Sequence, residues 1–131
     1  MSHHRHAVTA LDAPAAVGPY SHAVRAGGLL FCSGQIPLDP DTGELVGATP
    51  GEQARQCLEN LRTVCAAAGA SLSDAARITV YLTNMAAFAE VNEVYETFFA
   101  ADPPARVAIG VAALPRNAQV EIDAVVALPD S

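Results

Sequence analysis

The stretch from Pro103 to Val111 most constrains how this chain can fold. Its two consecutive prolines exclude a helix interior and direct the residues that follow toward extended structure. Beyond the prolines, side chains alternate with the two-residue period of a strand, and the apolar members are Val107, Ile109 and Val111. The sequence therefore predicts a strand with one apolar face and one face that carries a single guanidinium.

Arg106 is the first candidate site residue. Its neighbours on the same strand face, Ala108 and Gly110, have almost no side chain, so we expect open space in front of it. A planar fork of donors in open space suits a small carboxylate or phosphate. The alternative is an arginine that lies on the surface or pairs with an acid, and spacing alone favours that alternative.

The composition points to one domain that associates with copies of itself. A chain of 131 residues fits a single domain over 1–131 with one core. It is 51% hydrophobic and only 16% charged, but no run reaches the roughly 18 apolar residues of a membrane span. We therefore expect no membrane segment, and we expect the excess apolar surface to be covered by self-association. The net charge of −7 argues against an electrostatic nucleic-acid binder.

The cysteines and the N-terminus indicate an intracellular protein. Three cysteines, an odd number, stand among apolar neighbours, which predicts free buried thiols in a reducing compartment; they are Cys32, Cys57 and Cys65. The N-terminus lacks the apolar core of a signal peptide, so we expect a cytoplasmic location. Residues 1–6 form a His-rich segment, for which we expect a disordered tail and no metal site.

The first part of the chain reads as short strands joined by turns. We expect strands over 6–10, 21–26 and 29–33. Gly27 and Gly28 join the last two as a hairpin. An irregular loop over 12–20 delivers Tyr20 to the second strand. Turn residues at 39–43 predict a smaller hairpin.

Two helices are predicted. Thr49 is an N-cap, Pro50 suits the first helical position, and Glu52 completes a capping box. Apolar residues then recur at helical spacing until Gly69. The second helix covers 85–99 and places Asn92, an amide, among aromatic residues. Asn92 on its own predicts a buried side chain that holds the backbone of a neighbouring loop.

Alternation predicts further strands over 75–83 and 119–127. The preceding helix is long enough for a crossover, so the strand over 75–83 is expected to run parallel to an earlier one. The element order predicts an α+β fold, a single mixed sheet with two helices on one face. The uncovered face would be apolar, and subunit packing would cover it. Hairpin parity leaves open whether Arg106 and Glu121 share a face, because a one-residue bulge reverses the answer and a neighbouring subunit can supply either residue.

With these segments placed, five blocks resemble the RidA (YjgF-type) reactive intermediate deaminase family from Pro14 to Val126. The blocks are APAAVGPYSHAV, LLFCSGQIPLDPDTGEL, QARQCLENL, VNEVYETFF and PPARVAIGVAALP…VEIDAVV. The resemblance implies a chorismate-mutase-like α+β fold and a homotrimer with active sites between subunits. It also implies hydrolysis of 2-imino acids and their enamine tautomers, such as 2-iminobutanoate and 2-iminopropanoate, to 2-oxo acids and ammonia. No metal or organic cofactor is implied.

The resemblance further implies the site residues. Glu121 takes the role of the proton-transferring carboxylate and Arg106 that of the substrate-binding arginine, while the other substrate-binding positions fall on Tyr20, Ser33, Gly34 and Asn92. Ala108 occupies a position where family members often carry cysteine, so only its backbone carbonyl is available to orient water. Considered without the resemblance, Glu121 reads as a surface carboxylate, and Tyr20 and Ser33 as structural polar groups.

Two alternatives use the same trimeric scaffold. One is a binding protein for small carboxylates without catalysis, which the absence of a thiol at Ala108 keeps open. The other is an interaction protein of the chaperone or translation-inhibitor type, a role that the resemblance also brings in. The acidic net charge and the absence of a basic block count against its RNA-directed form.

Overall fold

A mixed six-stranded sheet with two helices on one face accounts for most of residues 4–129, which the computed structural model describes. The strands are β1 (His6–Val8), β2 (Ala23–Ala26), β3 (Leu29–Gln35), β4 (Ala75–Leu82), β5 (Ala105–Gly110) and β6 (Val120–Ala127). Their order in the sheet is β1-β2-β3-β6-β4-β5. Neighbouring strands are antiparallel except β4 and β5, which are parallel. The predicted α+β architecture is confirmed.

The two helices begin differently. Helix α1 (Pro50–Ala67) has the predicted capping box, in which Thr49 Oγ1 accepts from the backbone N–H of Glu52 and the Glu52 carboxylate accepts from that of Thr49. Helix α2 (Phe88–Phe98) is shorter than predicted, because a 3-10 turn over Met85–Ala87 precedes it. The Asn84 side chain accepts from the backbone N–H of Ala86 and starts this turn.

Strand order departs from chain order at β6. Strand β4 runs parallel to β3 as the crossover predicts, but β6 lies between them. Strand β5 therefore stands at the edge of the sheet and forms no hairpin with β6. The physical reason lies in the helix-facing side chains: those of β6 are apolar and at most 2% exposed (Val120, Ile122, Ala124 and Val126), whereas β5 carries Arg106, which an edge strand accommodates more readily.

The core lies between the sheet and the helices. Its largest fully buried apolar side chains come from both layers and include Leu30, Leu58, Leu61, Ile78, Leu82 and Ile122. The predicted free thiols are also there, since all three cysteines are buried and unpaired. Among residues 4–129, no helix combines the length and hydropathy that crossing a bilayer requires.

No helix formed by residues 4–129 covers the opposite face of the sheet. Three large apolar side chains, Phe31, Val107 and Ile109, are 40–45% exposed there. The sequence predicted such an uncovered apolar face. Burying these side chains against another protein surface would remove a substantial apolar area from water.

Two smaller expectations are revised. The second hairpin is reduced to a single bridge between Leu38 and Leu45. The tail was predicted over residues 1–6, of which 1–3 lie outside the described residues. Strand β1 begins at His6, which lies opposite Arg25 of β2, so any tail ends before it.

Candidate functional site

A cavity of about 570 Å³ opens beside the ends of β3 and β6. Four of the predicted site residues line it, namely Tyr20, Ser33, Gly34 and Glu121. The loop before β2 contributes Pro14 and Val17 to its wall, and the turn before β6 contributes Arg116. The cavity is therefore built from three segments that are distant in the chain.

A β-bulge places Ser33 and Gly34 in this cavity. Cys32 lies opposite Ala124 and Gln35 lies opposite Ile122, so two residues of β3 face only one residue of β6. Such a bulge bends the strand and redirects its side chains. The Ser33 hydroxyl donates to the carbonyl oxygen of Ser21 at 2.6 Å, which leaves its oxygen able to accept a hydrogen bond from a ligand.

Gly34 allows the Glu121 side chain to lie close to the backbone of β3. A Cβ atom at position 34 would stand about 3.0 Å from the Glu121 carboxyl carbon and still closer to one of its oxygens. A side chain at position 34 would thus occupy the space that the carboxylate now fills. The glycine therefore keeps this position open for the Glu121 carboxylate.

Glu121 is a partly buried carboxyl with an increased affinity for protons. Burial raises its pKa above the usual range, and the charge of Asp123, two residues along the same strand face, raises it further. The Tyr81 hydroxyl donates to Asp123 at 2.8 Å. A carboxyl whose pKa is raised toward neutrality is suited to taking a proton and returning it.

Tyr20 is positioned by a loop that His22 anchors. The buried His22 ring accepts from the backbone N–H of Ala10 through Nδ1 at 3.0 Å, so its Nε2–H donates to the carbonyl oxygen of Pro14 at 2.8 Å. The two hydrogen bonds fix the ends of the 10–14 segment next to the cavity wall. Tyr20 itself is 49% exposed at the cavity.

Arg106 belongs to a second group of residues. Its Nη1 donates to the Oδ1 atom of Asn92 at 2.7 Å, and its guanidinium lies 4.8 Å from the ring centre of Tyr95 and 5.2 Å from that of Phe88. The predicted space in front of Arg106 is therefore partly filled by α2. The expectation that Asn92 holds loop backbone is wrong, because its partner is the guanidinium.

The guanidinium retains binding capacity. Arg106 is exposed, and the single ion pair found among residues 4–129 joins Arg62 and Glu59 instead. The donors other than Nη1 have no hydrogen-bond partner in that part of the chain. A neutral amide and two aromatic faces orient the guanidinium without neutralising it, so it can still receive an anion.

The two groups lie on opposite faces of the sheet. Arg106 lies opposite Ile78 of β4 in the strand register, and Ile78 is a fully buried core residue. Arg106 and Ala108 therefore point to the helix side of the sheet. Glu121 lies opposite Tyr81 of β4 in the strand register and points to the uncovered face. Strand β4 also stands between β5 and β6. One chain thus brings Arg106, Asn92 and Ala108 together, and separately Tyr20, Ser33, Gly34 and Glu121.

Sequence reasoning missed three residues near Glu121. Asp123 and Tyr81 interact with each other beside it, and Arg116 reaches the cavity from a turn where it adopts a φ of 61° and donates to the carbonyl oxygen of Gly43 at 3.3 Å. The shared face of Glu121 and Asp123 was visible in the alternation of the last strand. The positions of Tyr81 and Arg116 depend on strand order and had no signal in the sequence.

Comparison with known proteins gives consistent matches. A family model described as endoribonuclease L-PSP matches residues 10–128. The RutC family protein y4sK of Sinorhizobium fredii is 53% identical, covering 89% of this chain and 93% of that protein. The 2-iminobutanoate/2-iminopropanoate deaminase of Mus musculus is 45% identical, covering 92% and 90%. The crystal structure of E. coli TdcF with bound serine has a TM-score of 0.89 at 39% identity, covering 95% and 99%. The family-model match over residues 10–128 includes both groups of candidate residues.

Proposed function

The chain belongs to the endoribonuclease L-PSP family, that of the RutC and RidA proteins, and on this premise we propose that it hydrolyses reactive 2-imino acids and their enamine tautomers to 2-oxo acids and ammonia. The proposed substrates are 2-iminobutanoate and 2-iminopropanoate, the acids in the name of the mouse relative. The observation that carries the proposal is the Glu121 carboxyl, whose raised pKa suits proton transfer, at a cavity large enough for such an acid.

Arg106 is the proposed anchor for the substrate. A 2-imino acid carries a carboxylate directly beside its electrophilic carbon, and a guanidinium binds a carboxylate through two parallel hydrogen bonds. Asn92 holds one end of the guanidinium, and the rings of Phe88 and Tyr95 support its plane. Anchoring the carboxylate would fix the position of the C=N bond and lower the entropic barrier to attack by water.

Glu121 is the proposed proton carrier. Glu121 first gives its proton to the imine nitrogen. The water oxygen then bonds to carbon 2 of the protonated imine, one water proton passes to the ionised Glu121, and the π electrons of C=N move to nitrogen. Glu121 then gives that proton to nitrogen. The C–N bond breaks as the hydroxyl oxygen forms C=O, ammonia leaves, and the hydroxyl proton returns to Glu121. General acid–base catalysis of this kind contributes about 10²–10⁴-fold. Tyr20 and Ser33 are proposed to hydrogen-bond the nitrogen.

The proposed site needs more than one copy of the chain. Arg106 and Glu121 point to opposite faces of one sheet, so a substrate held by both must lie between two subunits. Two features support this arrangement: Arg106 stands on the edge strand, and the uncovered face carries exposed apolar side chains. We therefore propose a homotrimer in which Arg106 of one copy closes the cavity of the next.

An imine-trapping assay tests the proposal. An amino-acid oxidase or dehydratase generates the imine in the presence of a nucleophilic scavenger, and the trapped product is measured with and without the protein. We expect the protein to reduce the trapped product and to accelerate 2-oxo acid formation. An unchanged decay of both imines at every protein concentration would exclude the proposed activity.

A second candidate function is binding of small carboxylates without turnover. It is supported by the Arg106 guanidinium, which forms no ion pair within residues 4–129, and by E. coli TdcF, whose crystal structure contains bound serine. Calorimetry with 2-oxo acids distinguishes the two candidates. Binding that requires Arg106, together with no effect on imine decay, would favour the binding protein over the enzyme.

A further inference from the structure

Asp123 and Tyr81 form a pair beside the proposed proton carrier. Glu121 and Asp123 are separated by one residue of β6 and therefore project from the same face of the sheet. On the adjacent strand, Tyr81 lies opposite Glu121 and Thr79 lies opposite Asp123. The Tyr81 hydroxyl does not bond to the carboxylate opposite it but reaches diagonally to Asp123, at 2.8 Å.

The hydrogen bond fixes the Asp123 carboxylate on the face of β6 that Glu121 shares. The raised pKa of Tyr81, about 12, arises first from burial and then from this hydrogen bond, and it means that the phenol remains a donor across neutral pH. Burial and the charge of Asp123 also raise the pKa of Glu121. The nearby Asp123 carboxylate therefore favours the protonated form of Glu121.

The surroundings of Glu121 supply one anion, one cation and several neutral groups. The titratable or charged side chains that face it or act on it are Asp123 on its own strand, Tyr81 on β4, Tyr20 and Arg116 at the cavity, and Cys57 on α1 from behind. On the β3 side, the neighbours are Ser33 and Gly34, which are uncharged. Arg116 is not within ion-pair distance of either acid.

We propose that Asp123 and Tyr81 act as a positioning pair that keeps the transferable proton on Glu121, a role that rests on the proposed deaminase function. Neither residue needs to touch the substrate. Asp123 supplies a negative charge beside Glu121, and Tyr81 holds the Asp123 carboxylate in place. Glu121 then stays ready to deliver a proton to nitrogen at a pH where an isolated carboxyl would have lost it.

Direct titration tests the pair independently of catalysis. The Glu121 carboxyl is followed by carbon NMR of the protein labelled at glutamate and aspartate side chains, and its signal is assigned by its loss in Glu121→Gln. We expect Asp123→Asn to move the Glu121 midpoint to lower pH. Glu96→Gln is the matched control, since it removes one exposed carboxylate from the helix layer, and it should leave the midpoint unchanged. An equal midpoint in wild type and Asp123→Asn would overturn the proposal.

A second variant keeps the test decisive if Asp123→Asn fails to fold. Tyr81→Phe removes only the hydroxyl, so the Asp123 carboxylate loses the hydrogen bond that holds it beside Glu121. We expect the Glu121 midpoint to move to lower pH in Tyr81→Phe, because the neighbouring charge is no longer held in place. A Glu121 midpoint equal to that of the wild type would contradict the role given to Tyr81.

The kinetic consequence separates this proposal from the deaminase proposal. If wild type hydrolyses imines, the alkaline limb of kcat/KM against pH, where Glu121 loses its proton, should move to lower pH in Asp123→Asn, in step with the NMR midpoint. An unmoved limb would overturn the catalytic role of the pair. No hydrolysis by wild type, with the NMR shifts still present, would refute the deaminase proposal while the electrostatic effect of Asp123 on Glu121 stands.

Discussion

At the scale of single residues, Gly34 and Glu121 depend on each other. The carboxylate lies against the backbone of the bulge, in the space that a side chain at position 34 would take. The raised pKa of Glu121 arises first from this partly buried location. Any residue that pushes Glu121 outward is expected to return its pKa toward the ordinary range and to spoil its alignment.

Gly34→Ala should therefore reduce activity without unfolding the protein. The added Cβ collides with the flexible end of Glu121, which can swing away, so the fold survives while the proton carrier is displaced. We expect kcat/KM to fall about 100-fold, the scale of a misplaced catalytic group. The measurement is imine hydrolysis, and the control is a double-variant cycle. If Gly34→Ala still lowers activity in the Glu121→Gln background, its effect is not exerted through Glu121.

Arg106 gives a second prediction at the residue scale. Arg106→Ala removes the proposed carboxylate anchor, and Arg106→Lys keeps the charge but loses the planar fork. We expect kcat/KM to fall at least about 100-fold in the alanine variant and severely in the lysine variant, with the oligomer intact by light scattering. Arg62→Ala, which removes an exposed arginine in a surface ion pair, is the control. Full activity in Arg106→Ala would show that Arg106 is not part of the active site.

At the scale of elements, the start of α1 is defined by contacts within a few residues. Thr49 and Glu52 exchange hydrogen bonds, and Glu52 also accepts from the backbone N–H of Ala48. These backbone donors lower the pKa of Glu52. The pKa of Glu52 is thus lower in the folded state than in the unfolded state. The stabilisation that Glu52 contributes is therefore complete above its unfolded-state pKa and is lost as the pH falls through its folded-state pKa.

A second contact joins the start of α1 to α2. The backbone N–H of Gly51 donates to the carboxylate of Glu90 in α2 at 2.7 Å.

Thr49→Ala should lower the free energy of unfolding by about 1 kcal/mol, the usual effect of losing an N-cap side chain. Thr49→Ser keeps the hydroxyl and should remain close to wild type. Urea denaturation at one fixed protein concentration measures the difference, since self-association would otherwise alter the apparent stability. Equal losses in both variants would mean that the threonine methyl group, not the cap, matters here.

At the scale of the whole molecule, the division of the candidate residues between two faces is the main property of the fold. A strand at the sheet edge presents Arg106, and a cavity on the other face presents Glu121. If the proposed trimer forms, every site combines Arg106 of one copy with Glu121 of another. An inactive Arg106 variant and an inactive Glu121 variant should then complement each other in mixed trimers.

Mixed assemblies of Arg106→Ala and Glu121→Gln are expected to recover activity. With equal amounts and random exchange, a site is intact when one neighbour supplies Arg106 and the other supplies Glu121, so roughly a quarter of the wild-type activity should return. The subunits are mixed by coexpression, and imine hydrolysis is measured. A mixture of Arg106→Ala with Arg106→Lys is the control and should stay inactive. No recovery in the first mixture would place both residues in one subunit or outside the site.

The sequence by itself determined the parts of this protein that depend on near neighbours. The capping box of α1, the Gly27-Gly28 turn and the alternation of β6 follow from hydrogen bonds and side-chain periods within a few residues. The α+β class followed from the order of these elements. The blocks of family resemblance also identified residues that the fold assembles into two groups.

Only the tertiary structure decided how those groups are placed. The insertion of β6 between β3 and β4 results from burial of its apolar face at the centre of the sheet. That insertion, the bulge at Ser33 and Gly34, and the packing of Arg106 on α2 involve residues far apart in the chain. Local sequence patterns cannot encode strand order or the face to which a side chain points, because both depend on how much apolar surface the whole sheet buries.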